Sequence, residues 1–268
     1  MENILNNKTI LLGVTGSIAA YKSPLLVREL IKLGANVKVV MTESAKEFVS
    51  ELILSNLSRN DVISDMFDKK VQTSGAWHIK YAHECDLMII APCSVNTLSK
   101  IAHSICDNSL VTLAIALEPR IPLLIAPAMD TTMWLNPATQ RNIDLLKLDG
   151  AIIIPPEEGE LSSGLIGPGR LPEINVLVEE IIKALNHPKK NRFEIKYNIH
   201  IKNNSNDNEK LNKNLHDLID SPIESIEKSM EKPEILAIDW KSLKSEERIT
   251  LMAVLKNFNI PIVRTSNM

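Results

Sequence analysis

Residues Ile121 to Trp134 read "IPLLIAPAMDTTMW". An apolar run of strand length passes through a polar corner into residues with helical spacing, and a carboxylate, Asp130, stands at the corner. The same grammar recurs along the chain. "TILLGVT" precedes a helical pattern over 18–33, "ANVKVVMT" one over 44–57, "CDLMIIAP" one over 94–117, "IPLLIAP" one over 131–148 and "GAIIIPP" one over 173–185. Short, nearly continuous apolar strands alternating with helices specify a parallel sheet covered on both faces. The expected fold is therefore α/β, a Rossmann-like doubly wound parallel sheet.

A break in composition sets the organisation. All nine glycines lie between Gly13 and Gly169, whereas the chain from about Asn186 to Lys232 is rich in Asn, Lys, Asp and Glu. The expected arrangement is a domain over 1–185, a polar, flexible linker over 186–232, and a short β-α-β tail over 233–268 built from "EILAID", a helical stretch 241–257 and "IPIVRT". With 268 residues, 44% hydrophobic and 24% charged, the chain can bury one sizeable core. A formal net charge of -3 gives no global reason to bind nucleic acid or an anionic membrane. Met1 to Lys8 is polar rather than a signal peptide and no apolar run has the length of a membrane span, so a cytoplasmic location is expected. Cys85, Cys93 and Cys106 lack a CxxC spacing; they read as reduced thiols, with no metal site.

In an open parallel sheet, ligands sit beyond the carboxyl ends of the strands, so the loops after the strands carry the functional signal. The first loop is Gly13-Val14-Thr15-Gly16-Ser17-Ile18-Ala19-Ala20. Glycine allows close backbone approach, Ser17 adds a hydroxyl, and the amides of a following helix favour a phosphate. The loop is neither G-x-G-x-x-G nor a P-loop, and taken alone a tight βα turn explains it equally well. The second, Met41-Thr42-Glu43-Ser44, sets two hydroxyls at a helix start, where capping is the simpler role. The third, Ala91-Pro92-Cys93-Ser94-Val95-Asn96-Thr97, gathers hydroxyls and an amide that can read a ring edge or a sugar phosphate without adding charge.

Four motifs thus stand in order: "TGSIAA", "APCSVNT", "PAMDTTMW" and "GPGRL". Over roughly residues 8–185 the chain resembles the flavin-dependent cysteine decarboxylases, most closely the phosphopantothenoylcysteine decarboxylases of coenzyme A biosynthesis. The resemblance implies a flavodoxin-like sheet, FMN held between subunits of a homotrimer, and decarboxylation of a small molecule, phosphopantothenoylcysteine, to phosphopantetheine. Matching positions place Gly16, Ser17 and Ile18, with Thr42 and Ser44, on the phosphate side of the flavin; Ser94, Val95, Asn96 and Thr97 on the ribityl chain and ring; and Ala128 against the ring. The family histidine matches His78 in Trp77-His78-Ile79, which makes His78 the expected catalytic residue, although by itself it reads as a capping or surface histidine. His83, five residues later, points about 140° away on a helix and serves as a control. His103, like His83, is assigned to surface or structure.

The chain departs from the family at two functional positions. The asparagine whose amide donates to the substrate carboxylate is Asp130, and the proton-donating cysteine of the flap, Glu160 to Arg170, is Ser163. Asp130 can cap a helix as well as asparagine can. While ionised it cannot donate to a substrate anion. Serine, with a far higher pKa than a thiol, is a poor proton donor in place of cysteine. Three readings follow: the decarboxylase itself, a catalytically weak flavin-binding subunit or regulator of the same family, and a decarboxylase of another cysteinyl substrate.

Overall fold

Adjacent residues in the strands belong to opposite sides of the molecule. Leu12, Val39, Ile89 and Leu124 join one buried apolar cluster. Their neighbours Leu11, Val40, Ile90 and Ile125 join another. Period-two alternation with both sets buried is what a sheet packed on both faces requires. Burial of each such side chain stabilises the fold by about 1.5–3 kcal/mol relative to leaving it exposed.

The computed structural model describes residues 4–67 and 76–186. The chain divides into units Met1–Ile195 and Lys196–Met268. The linker expected after Asn186 and the tail expected over 233–268 lie outside the described residues.

Five parallel strands, β1 (Thr9–Val14), β2 (Asn36–Met41), β3 (Leu87–Cys93), β4 (Leu123–Pro127) and β5 (Ile152–Ile153), form one sheet in the order β2-β1-β3-β4-β5. The order reverses direction between β1 and β3, which creates the crevice where doubly wound sheets bind ligands. The flavodoxin-like expectation holds. Between the strands run α1 (Ser23–Lys32), α2 (Glu51–Ser58), α3 (Trp77–Glu84), α4 (Val95–Ala102), α5 (Ser109–Ala116), α6 (Thr131–Trp134) and α7 (Pro137–Leu148). An antiparallel hairpin follows, β6 (Glu157–Glu160) with β7 (Ile166–Arg170), and then α8 (Ile174–Asn186). Leu177 and Ile181 of α8 return to the face that carries Leu12 and Leu26.

Four expected helices are each broken into two pieces. Over 18–33 a 3-10 turn, Ile18–Lys22, precedes α1, whose Pro24 suits a first helical turn. Over 44–57 a similar turn, Glu43–Glu47, precedes α2. The pattern 94–117 divides where Ser104 (φ 55°) turns left-handed just past α4, and Asn108, accepting from Val111 N at 3.1 Å, starts α5 afresh. The pattern 131–148 divides where Asn136 caps α7 through Ala138 N at 2.9 Å, with Pro137 as its first residue.

Candidate active site

Buried hydrogen bonds hold the loops beyond the strand ends against one another. Thr15, fully buried, donates from Oγ1 to Pro92 O at 2.8 Å and accepts from Ser94 N at 2.8 Å. Thr42 N donates to Val14 O at 3.0 Å and Ala128 N to Cys93 O at 3.1 Å. Ser17 Oγ spans from the first loop to Ala128 O at 3.5 Å. The loops after β1, β2, β3 and β4 are therefore one assembly, and an opening of about 540 Å³ lies over it.

Gly16, Ser17, Ile18, Ser44, Ser94, Val95, Asn96, Ala128 and Asp130 all line this cavity. Those nine expected site residues come from loops spread over more than a hundred positions of sequence. Their local roles overlap with capping: Ser17 accepts from Ala19 N at 3.3 Å, and Ser94 accepts from Thr97 N at 3.4 Å. Thr42 and Ser44 do not cap; Thr42 Oγ1 and Ser44 Oγ share a hydrogen bond of 3.2 Å. A Cβ on Gly16 would stand 2.6 Å from Ser44 Oγ, so the close approach of these two loops requires glycine.

Four expected residues lie outside the cavity wall. Thr42 and Thr97 are buried beneath it, where they support Ser44 and Ser94. Ser163 sits on the hairpin tip directed at Asp130. His78 is on α3 with its ring edge-on to Trp77 at 5.6 Å, and this chain does not bring it to the cavity. His83 is exposed on the same helix, and His103 Nδ1 lies 2.9 Å from Ser99 O. Sequence reasoning missed Tyr21, Lys22, Met129 and Met133 as wall residues. Of these, Lys22 had no legible signal: it is buried, its ammonium donating to Leu171 O and pairing with Glu173, each at 3.1 Å.

The hairpin, expected only as a flap, forms the far wall with Glu160, Leu161, Ser162, Gly169 and Arg170. Its base is fixed: Met129 N donates to Gly169 O at 3.0 Å, and Arg170 Nη2 pairs with Glu157 at 2.9 Å. A side chain on Gly169 would meet the Met129 carbonyl, which explains glycine there. The expectation that Asp130 caps the following helix is met, with Oδ1 accepting from Thr132 N at 3.0 Å and Thr132 Oγ1 at 2.9 Å. Oδ2 accepts from Ser163 Oγ at 2.6 Å. The Ser163 hydroxyl first, then the Thr132 amide and hydroxyl, hold the Asp130 carboxyl below the usual carboxylate range. The two departures read separately in the sequence are one hydrogen-bonded pair in the fold.

The two buried thiols, neither of them in the cavity wall, have no comparable activation. Desolvation pushes Cys85 up to about 12 and Cys93 further still. Among the described residues no His/Cys/Asp/Glu group suits a metal ion and no helix is long and apolar enough to cross a membrane.

The sequence profile named Flavoprotein matches residues 2–186. The chain belongs to the Flavoprotein family. Within that family it is 43% identical over 178 residues to the probable phosphopantothenoylcysteine decarboxylase of Streptococcus mutans, a match covering 66% of this chain and 99% of that one. It is 45% identical over 176 residues to the coenzyme A biosynthesis bifunctional protein CoaBC of Bacillus subtilis, covering 66% of this chain and 43% of that larger protein. Among solved structures, a cysteine-to-serine mutant of PPC decarboxylase complexed with pantothenoylaminoethenethiol superposes with a TM-score of 0.59 at 34% identity, covering 65% and 96% of the two chains. The FMN-dependent cysteine decarboxylase SpaF does so with a TM-score of 0.59 at 32% identity, covering 68% and 97%.

Proposed function

We propose that this chain is an FMN-dependent carbon–carbon lyase that decarboxylates phosphopantothenoylcysteine. The observation that carries the reading is the convergence of nine motif residues on one cavity at the strand switch point. Relatives named for this activity or for coenzyme A biosynthesis support it.

The cavity suits a flavin mononucleotide. Ser17 and Ser44 flank the Gly16 approach with neutral donors. The two basic side chains in the wall, Lys22 and Arg170, are already paired with Glu173 and Glu157. A phosphate would therefore be held by hydroxyls and amides. Asn96, exposed in the wall, has no side-chain hydrogen bond to another described residue, leaving its amide for a ring edge. Ile18, Val95, Ala128 and Met129 supply apolar surface. Bound FMN would supply a two-electron acceptor for oxidation of the thiol-bearing carbon of the substrate, and the thiocarbonyl so formed takes up the electrons released with carbon dioxide. His78 moves the proton in this step. Because His78 is not at the cavity of its own chain, a second copy delivers it, which is the shared site of a homotrimer. Ser163 in place of cysteine withholds the later proton donation, so the dehydrogenated enethiol outlasts the reduced product.

The ionised Asp130 favours a second reading, a weakly active family subunit or an enzyme for a different cysteinyl substrate. Incubation with phosphopantothenoylcysteine, followed by mass analysis, decides. Phosphopantetheine or its analogue lacking two hydrogens supports the lyase. A protein that binds FMN, is trimeric by light scattering and releases no carbon dioxide supports the second reading; one that rejects FMN removes both.

A further inference from the structure

We infer that Asp130 and Ser163 are a positioning pair that latches the tip of the β6–β7 hairpin over the cavity, so that ligand exchange with solvent runs through rupture of this bond. The hairpin is anchored unevenly. Its base has the Gly169–Met129 backbone bond, the Arg170–Glu157 pair and the Lys22 contact to Leu171 O. The tip has no such support. Ser162 to Ile166 are all exposed, with Ile166 at 83%, so apolar burial cannot hold them down. The tip is closed on itself by Leu161 N to Leu165 O at 2.9 Å and Gly164 N to Leu161 O at 2.8 Å. Among the described residues, Ser163 Oγ to Asp130 Oδ2 is the single hydrogen bond from Leu161–Ile166 to anything outside the hairpin.

Leu161 and Ser162, beside the bonded serine, are part of the cavity wall, so where the tip rests sets how open the cavity is. A charge-assisted bond as short as 2.6 Å is the type that can hold an otherwise unsupported loop. The acceptor is itself fixed, because Thr132 takes up the other carboxylate oxygen. The pair also selects. A ligand group that donates to Oδ2 can replace Ser163 and free the tip, whereas a ligand carboxylate cannot.

Amide hydrogen exchange of the purified full chain tests the latch, since Leu161 N and Gly164 N are protected only while the tip turn is formed. Ser163→Ala is expected to accelerate exchange in this segment about fivefold, and Ser163→Thr, which restores a hydroxyl, to return it within about twofold of the parent. Asp130→Ala also removes the cap, but that loss is common to both backgrounds and cancels in a double-mutant cycle. Asp130→Ala should therefore accelerate exchange less in Ser163→Ala than in the parent. Additive effects, no response to Ser163→Ala, or no rescue by Ser163→Thr would each overturn the latch. The measurement needs no flavin, so a latch found in a chain that rejects FMN leaves this inference standing while the proposed function fails.

Discussion

The cavity wall made by the loops after β1 and β3 is held by buried hydrogen bonds, whereas the wall made by α6 and the hairpin tip is held by an exposed one. Thr15, at 0% exposure, ties the first pair of loops together, and Pro92 O cannot turn to water if that hydroxyl is lost. Ser163 and Asp130 tie the second pair at the surface, where water can take over either partner. The two positions read as departures from the family pattern, Asp130 and Ser163, are the two ends of this exposed contact, where substitution costs the fold little.

Four measurements break or sharpen this contrast. The largest effect should come from a residue on neither wall. His78→Asn is expected to lower the decarboxylation rate by about 100- to 10,000-fold while FMN content is retained, and His83→Asn to leave the rate near that of the parent. Equal losses in both would mean that α3 matters only for folding. Next, Gly16→Val drives a side chain into Ser44 and should weaken FMN binding about 100-fold, an equilibrium difference under 3 kcal/mol, by fluorescence titration. Unchanged affinity would place the cofactor elsewhere.

Thr15→Val keeps the shape of the buried wall but removes both of its hydrogen bonds. Chemical denaturation should show a loss of about 2–3 kcal/mol, and a loss no larger than that of Ser163→Ala would erase the contrast between the walls. The smallest effect belongs to Asp130. Its carboxyl is held below the ordinary range by Ser163 and then Thr132, so these bonds stabilise the fold fully above the unfolded-state pKa of about 3.9 and are lost as pH falls through the lower folded value. The melting temperature of the parent relative to Asp130→Asn should therefore be flat from pH 7 to about pH 5 and fall below about pH 4. A difference that changes between pH 5 and 7 would show that another group is responsible.

The strands were legible because each is an apolar run whose burial depends on local alternation, and the loops were legible because a parallel sheet puts its ligand crevice at strand ends whatever its details. Helix boundaries were less so. The pattern over 94–117 reads as one helix, but Ser104 in the left-handed region follows the end of α4, and Asn108, accepting from Val111 N, begins α5. Thr97 matches a motif position, yet the winding of α4 turns it inward beneath Ser94. Lys22 carries no mark in the sequence that distinguishes it from a surface lysine; burial against Leu171 O and Glu173 follows from how α1 meets the chain entering α8.

By itself the sequence determined the class of sheet and which loops come together over its strand ends. These are local properties, set by side-chain period and by residue type at a strand end. That Asp130 and Ser163 are a single interaction was decided only in three dimensions. They are 33 residues apart, and their contact depends on the hairpin folding back across the start of α6 through the Gly169–Met129 bond. The placement of His78 away from its own cavity was likewise a tertiary outcome, because it depends on which face of the sheet α3 covers, and no pattern within α3 encodes that choice.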